Sequence, residues 1–220
     1  MKKNVAVILS GCGYLDGSEI REAVLTLLSL DELDLTYTIF APDKDQHHVV
    51  NHVTNLEENE ERNIMIESAR IARGEITPLA ELNVNDFESL ILPGGFGVAK
   101  NFSSIAFDGS NATITEDIDN IIQEFHRQDK KIGAICIVPA LIALSFKGKK
   151  CLQVTLGDDN ESNRNLIEGM DSKYIPTTPG TICIDETHKI ASCAAYMRSP
   201  KLSIIHQEIK QVVEYLAKTL

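Results

Sequence analysis

The stretch that decides the fold is Ile132-Gly133-Ala134-Ile135-Cys136-Ile137-Val138-Pro139-Ala140-Leu141. Its first four residues read as a buried strand, and the run becomes helical directly after Cys136. Pro139 suits a first helical turn, where a missing N–H costs nothing. The small residues Gly133 and Ala134 leave room below the turn. This is the layout of a nucleophile elbow with Cys in place of Ser. A tight turn lifts the side chain out of the sheet. The helix N-terminus then favours a thiolate, so the expected thiol is acidified.

Working outward, apolar runs alternate with helical stripes. That is the pattern of an α/β fold, with a mostly parallel sheet covered on both faces. The expected sheet strands are Val5–Leu9, Leu35–Phe40, Ser89–Leu92, Lys131–Ile135 and Gln153–Leu156. Thr181–Ile184 and Lys189–Ser192 flank Asp185-Glu186-Thr187-His188 and read as a late β-hairpin. Three helical stripes are expected to face the core: Ile20, Val24, Leu27 and Leu28; Ile118, Ile121, Ile122 and Phe125; and Leu202, Ile205, Ile209, Val212, Val213 and Leu216. Residues 1–220 read as one domain. Two insertions, near 43–77 and 101–113, carry the loops.

Composition narrows the function. Hydrophobic residues make up 43% and aromatics only 5%, so the core is aliphatic. The net charge of -11 repels phosphate backbones and anionic membrane surfaces, so neither nucleic acid nor membrane is an expected partner. No apolar stretch approaches the roughly 20 residues of a membrane span. The run after Lys2-Lys3 is too short for a signal peptide, so the expected location is cytoplasmic. Five cysteines (Cys12, Cys136, Cys151, Cys183, Cys193) without a C-x-x-C pair suggest reduced thiols. Cys151, Cys183 and Cys193 are expected in the core.

Two further segments end strands with unusual residues. Leu92-Pro93-Gly94-Gly95-Phe96-Gly97 lets the backbone approach a ligand, and its N–H groups can face an oxyanion. Ser10-Gly11-Cys12-Gly13-Tyr14-Leu15-Asp16-Gly17-Ser18-Glu19 matches neither a dinucleotide nor a Walker pattern. Glu19 has two readings: a helix-capping acid beside Asp16, or a carboxyl group beside the Cys136 thiol. Cys12 could approach Cys136 across the sheet top. His47, His48 and His52 lie in the first insertion, where one could fold over the site. His48 and His52, four apart, could share a helix face, yet no third metal ligand is evident, so no metal is expected.

Taken together, VAVILSG, Glu19, LPGGFG and GAICIVPAL resemble the PfpI-like branch of the class I glutamine amidotransferase-like superfamily. APDKDQ, ARIARGEI and PGTICIDETHKIASCAAYM resemble its ElbB-like group, associated with isoprenoid biosynthesis. The resemblance implies a flavodoxin-like three-layer sandwich, commonly a homodimer. It implies Cys136 as nucleophile, Glu19 as the acid paired with it, and the N–H groups of Gly95 and Ile137 as the oxyanion hole. Gly94, Cys12, His47 and His48 would line the site. The implied activity is a cofactor-independent glyoxalase, turning glyoxal or a related small α-oxoaldehyde into glycolate. The alternative is a non-catalytic redox-sensing or regulatory role. Many relatives place a His beside the Cys. Here Ile137 follows it, and Thr155-Leu156-Gly157-Asp158-Asp159 carries none. His188, in a hairpin turn, is poorly placed to serve a glutaminase.

Overall fold

The computed structural model describes residues 4–218. The strands are β1 (Asn4–Ile8), β2 (Thr36–Ala41), β3 (Val49–Val50), β4 (Glu57–Glu58), β5 (Thr77–Pro78), β6 (Ser89–Leu92), β7 (Lys131–Ile135), β8 (Gln153–Val154), β9 (Lys173–Tyr174), β10 (Cys183–Asp185) and β11 (Ile190–Cys193). The helices are α1 (Ile20–Glu32), α2 (Ile64–Ile71), α3 (Phe96–Lys100), α4 (Ile105–Asp108), α5 (Glu116–Arg127), α6 (Val138–Ser145), α7 (Glu161–Glu168) and α8 (Leu202–Ala217).

Seven strands form one sheet in the order β10-β11-β7-β6-β1-β2-β5. Every pairing in it is parallel except β10 with β11. Side chains of β1, β6 and β7 alternate between two apolar clusters. One, with Ile8, Leu90, Leu92 and Ile132, packs on α5 and α6. The other, with Val5, Val7, Ile91 and Ile135, packs on α8 and the inner residues of α1. Two covered faces make the expected three-layer, flavodoxin-like α/β sandwich.

Three expectations need correction. Gln153–Leu156 is not a strand of the main sheet: Gln153 and Val154 pair in parallel with Lys173 and Tyr174 in a separate ribbon. The place beside β7 is taken by β11, whose register runs Ile190 to Ile132 through Cys193 to Ile135. The late hairpin is therefore the sheet edge. Second, the apolar stripe of α1 points outward except at Leu27, which packs partly buried against the core. Ile20, Val24 and Leu28 are 45%, 48% and 42% exposed, while Glu22, Ala23, Thr26, Ser29 and Leu30 face inward. Small inner residues let α1 sit close to its neighbours, and that close approach overrides the stripe. Third, Cys151 is exposed rather than core.

The other two stripes hold, except that Leu202, at the start of α8, is exposed rather than core-facing. Ile118, Ile122 and Phe125 are fully buried, as are Ile205, Ile209, Val212 and Val213. Phe125→Ala should cost about 3–5 kcal/mol of stability, because it opens a cavity the sheet cannot fill. Urea denaturation of the variant measures this; a loss below about 1 kcal/mol would mean that the layer repacks.

Candidate active site

β7 ends at Ile135 and α6 begins at Val138, with Pro139 in its first turn. Between them Cys136 adopts φ 64°, the left-handed region that costs a non-glycine residue about 1–3 kcal/mol. The bend is held by the Cys136 N–H, which donates to the carbonyl of Cys193 on β11 at 2.9 Å. The elbow read from the sequence is present. Its sulfur is nearly enclosed: Cys136 is 7% exposed.

The N–H groups of Gly95 and Ile137 favour the charged form of the Cys136 sulfur. Gly95 can do so because it adopts φ 106°, with Gly17 O, Glu19 N and the Ser18 carbonyl carbon pressed against its Cα. Gly94 lies against both the Cys136 side chain and the Glu22 carboxyl. The structure thus brings Cys136, Gly94, Gly95 and Ile137 together.

It does not bring Glu19 there. Glu19 is the N-cap of α1, and its Oε2 accepts the N–H of Glu22 at 2.7 Å. Capping, not thiol contact, is its geometry. The acid beside the thiol is Glu22, one turn further on and fully buried, and its carboxyl and the Cys136 side chain meet at Gly94. Its Oε2 accepts the Gly94 N–H at 3.0 Å, and its Oε1 accepts the Tyr196 N–H at 3.1 Å. A signal for Glu22 existed in the sequence. Glu22, Thr26 and Ser29 recur at helical spacing as a small polar stripe, but they read as a solvent face.

The electrostatics follow from burial. Loss of water, helped by the nearby Glu19 charge, pushes the Glu22 carboxyl up to about 8 against the pull of the Tyr196 N–H. The thiol is not acidified as expected. Burial first, then the Glu22 charge, hold Cys136 well above the ordinary thiol range, against the N–H groups of Gly95 and Ile137. The helix end is outweighed by desolvation. Below about pH 8, however, Glu22 is neutral. Its repulsion then lapses, and its O–H can be shared with sulfur. Thiol and acid therefore titrate as a coupled pair.

The remaining candidates lie elsewhere. The half-buried thiol of Cys12 has Glu67, Arg70 and Asp16 as its charged neighbours, and burial raises its pKa. The His47 ring packs on Phe107 at 4.8 Å, and His48 Nε2 lies 3.0 Å from Lys100 Nζ. His48 and His52 do not share a helix: His48 lies just before β3, and His52 in the turn after it. His52 Nε2 accepts the Leu15 N–H at 3.3 Å. His52 thus pins the first insertion to the loop at 10–19, as does Asp16 Oδ2, which accepts the Val50 N–H at 2.8 Å. Among the described residues, no group of three His, Cys, Asp or Glu could hold a metal ion. Nor is any described helix long and apolar enough to cross a membrane.

A cysteine at a strand-to-helix elbow, with a buried acid and two amides that favour its thiolate, defines a thiol-elbow protein on a flavodoxin-like sheet. The chain belongs to the class I glutamine amidotransferase-like family. It is 37% identical to the human mitochondrial glutamine amidotransferase-like class 1 domain-containing protein 3 over 218 residues, covering 95% of this chain and 80% of that protein. It is 36% identical to the mitochondrial ES1 protein homolog of Rattus norvegicus over 230 residues, covering 99% and 85%. A crystal structure of an isoprenoid biosynthesis protein with an amidotransferase-like domain from Ehrlichia chaffeensis superposes with TM-score 0.90. That protein is 40% identical, with 97% and 98% of the two chains covered. No family model matches the chain. The cytoplasmic expectation is overturned, because the human and rat relatives are mitochondrial proteins.

Proposed function

We propose that the chain is a cofactor-independent, glyoxalase-type enzyme whose nucleophile is Cys136 and whose proton carrier is Glu22. The observation that carries this is the enclosed pair itself: a buried carboxyl beside a buried thiol, with two backbone amides that favour the thiolate. Cys136, only 7% exposed, suits a reagent of two or three carbons better than a peptide. With one proton shared by the pair, the Cys136 S–H bond breaks as its proton passes to Glu22, and the thiolate adds to one carbon of glyoxal, forming a C–S bond. The proton of Glu22 passes to the new alkoxide, giving a hemithioacetal. Glu22, now a carboxylate, removes the C–H proton of that carbon and delivers it to the neighbouring carbon through an enediol. The product is a thioester of glycolate. Water cleaves its C–S bond, releasing glycolate and restoring the thiol. Glyoxal plus water equals glycolic acid, so no oxidant is required. Gly95 and Ile137 offer the N–H groups for the oxyanion. An acid that titrates near 8 can give and take a proton near neutral pH.

The test is glycolate formation from glyoxal without glutathione or added metal. Wild type should produce it, and Cys136→Ala should fall to the uncatalysed rate. Equal output from both would remove the proposal. A link to isoprenoid biosynthesis rests on the name of the Ehrlichia relative alone.

The outward stripe of α1 supports a homodimer as part of this reading. Exposed Ile20, Val24 and Leu28 form an apolar ridge that a second copy would cover. Val24→Glu with Leu28→Glu should sediment as a monomer where wild type sediments as a dimer. A wild type that is already monomeric would end the idea.

A further inference from the structure

A second buried acid stands next to the first. Glu208 of α8 is fully buried, and its Oε2 accepts the N–H of Ala195 at 2.9 Å. The very next amide, that of Tyr196, donates to Glu22. Two buried carboxyl groups thus hold successive N–H groups of one short turn. The turn is bent: Ala195 adopts φ 42°, left-handed for a residue with a Cβ. Such a conformation persists only when its surroundings impose it.

Those surroundings are specific. Glu208 Oε1 also accepts the Gly180 N–H at 2.9 Å and the Arg198 Nη2 at 2.7 Å. Arg198, only 6% exposed at its side chain, reaches on to the Thr177 carbonyl at 2.8 Å and Asp158 at 3.1 Å. One buried ion pair therefore ties α8, the loop at 157–158 and the loop at 177–180 to the turn 195–197. Among the described residues no cation pairs with Glu22, whose oxygens accept the N–H groups of Gly94 and Tyr196.

We propose that Glu208 and Arg198 are positioning residues for the reactive thiol, fixing the Ala195–Tyr196 turn so that the Tyr196 N–H holds the Glu22 carboxyl against Cys136. The inference rests on the reading of Cys136 as the reacting thiol, and acts on that pair through the backbone. If Glu208 is removed, the turn relaxes and the Tyr196 N–H loses its aim. The Glu22 carboxylate then loses a donor, and its ionisation moves to higher pH.

The test is the rate of Cys136 alkylation by iodoacetamide across pH, followed by mass spectrometry of the Cys136 peptide. Wild type should show a retarded rise above about pH 8, where Glu22 becomes charged. Glu208→Gln should move that inflection up by at least about half a pH unit. In a Glu22→Gln background, Glu208→Gln should change the profile no further. A folded Glu208→Gln with the wild-type profile would overturn the proposal. So would an equal shift with and without Glu22. Where Glu208→Gln does not fold, Arg198→Lys keeps the charge but not the fork, and should move the inflection in the same direction; an unmoved inflection would equally overturn the proposal. A wild-type Cys136 that stays unalkylated at every pH would instead sink the reactive-thiol reading. Alkylation needs no turnover, so the two failures stay distinct.

Discussion

Glu22→Gln is expected to gain stability relative to wild type as pH rises, by about 1.4 kcal/mol per unit between about pH 5 and pH 8. In the folded chain, burial raises the carboxyl from 4.5 to about 8. The native state therefore keeps a proton that the unfolded chain releases. The contribution is fully present below the unfolded value and is lost as pH climbs through the folded one. Gln carries no such proton, so the difference between the two proteins isolates this group. Over the window it sums to about 4 kcal/mol. A constant offset of about 1–3 kcal/mol runs the other way. Both Glu22 oxygens accept backbone N–H groups, and the NH₂ of Gln cannot accept. The quantity to measure is thus the slope from urea denaturation at four or five pH values. A flat difference would mean that Glu22 is ionised or hydrated in the folded protein.

Gly94→Ala should be nearly as costly, by about 3–5 kcal/mol, and should damage the site with the fold. A Cβ there would lie 2.4 Å from the Cys136 Cβ, 2.7 Å from Glu22 Oε2 and 2.9 Å from the Ile135 carbonyl. None of these can retreat easily. The Cys is fixed by its left-handed bend, the carboxyl by two amides, and the carbonyl by the sheet. Gly148→Ala is the control, because its Cβ would meet open space; its φ of 72° confines the cost to backbone strain. Thermal denaturation should show a much larger loss at 94 than at 148. Equal losses would mean that the approach of Gly94 to the pair is loose.

Much of this was legible before any coordinates. The elbow was, because strand, Cys and helix follow one another without interruption, so only local rules apply. So were Gly95 and the inward stripes of α5 and α8. What failed depends on distance in sequence. The α1 helix was turned the wrong way because Ile20, Val24 and Leu28 outweigh Ala23, Thr26 and Ser29 in hydrophobicity, while close packing favours the small residues. The same error hid Glu22 on the side taken for solvent and left Glu19 as the visible acid. The strand at 153–154 was misplaced because β11, from a hairpin far along the chain, occupies the edge beside β7. The sign of the thiol shift was missed because a local helix end is visible in sequence and desolvation by distant segments is not.

The central claim is that Glu22, and not Glu19, governs the Cys136 thiol. Alkylation of Cys136 measured from pH 6 to 10 in wild type, Glu22→Gln and Glu19→Gln tests it most directly. The ratio of Glu22→Gln to wild-type rate should climb as pH passes about 8, where the wild-type carboxylate begins to oppose the thiolate. For Glu19→Gln, which keeps a capping oxygen, the ratio should stay level. A level ratio for Glu22→Gln, or a climbing one for Glu19→Gln, would contradict the account.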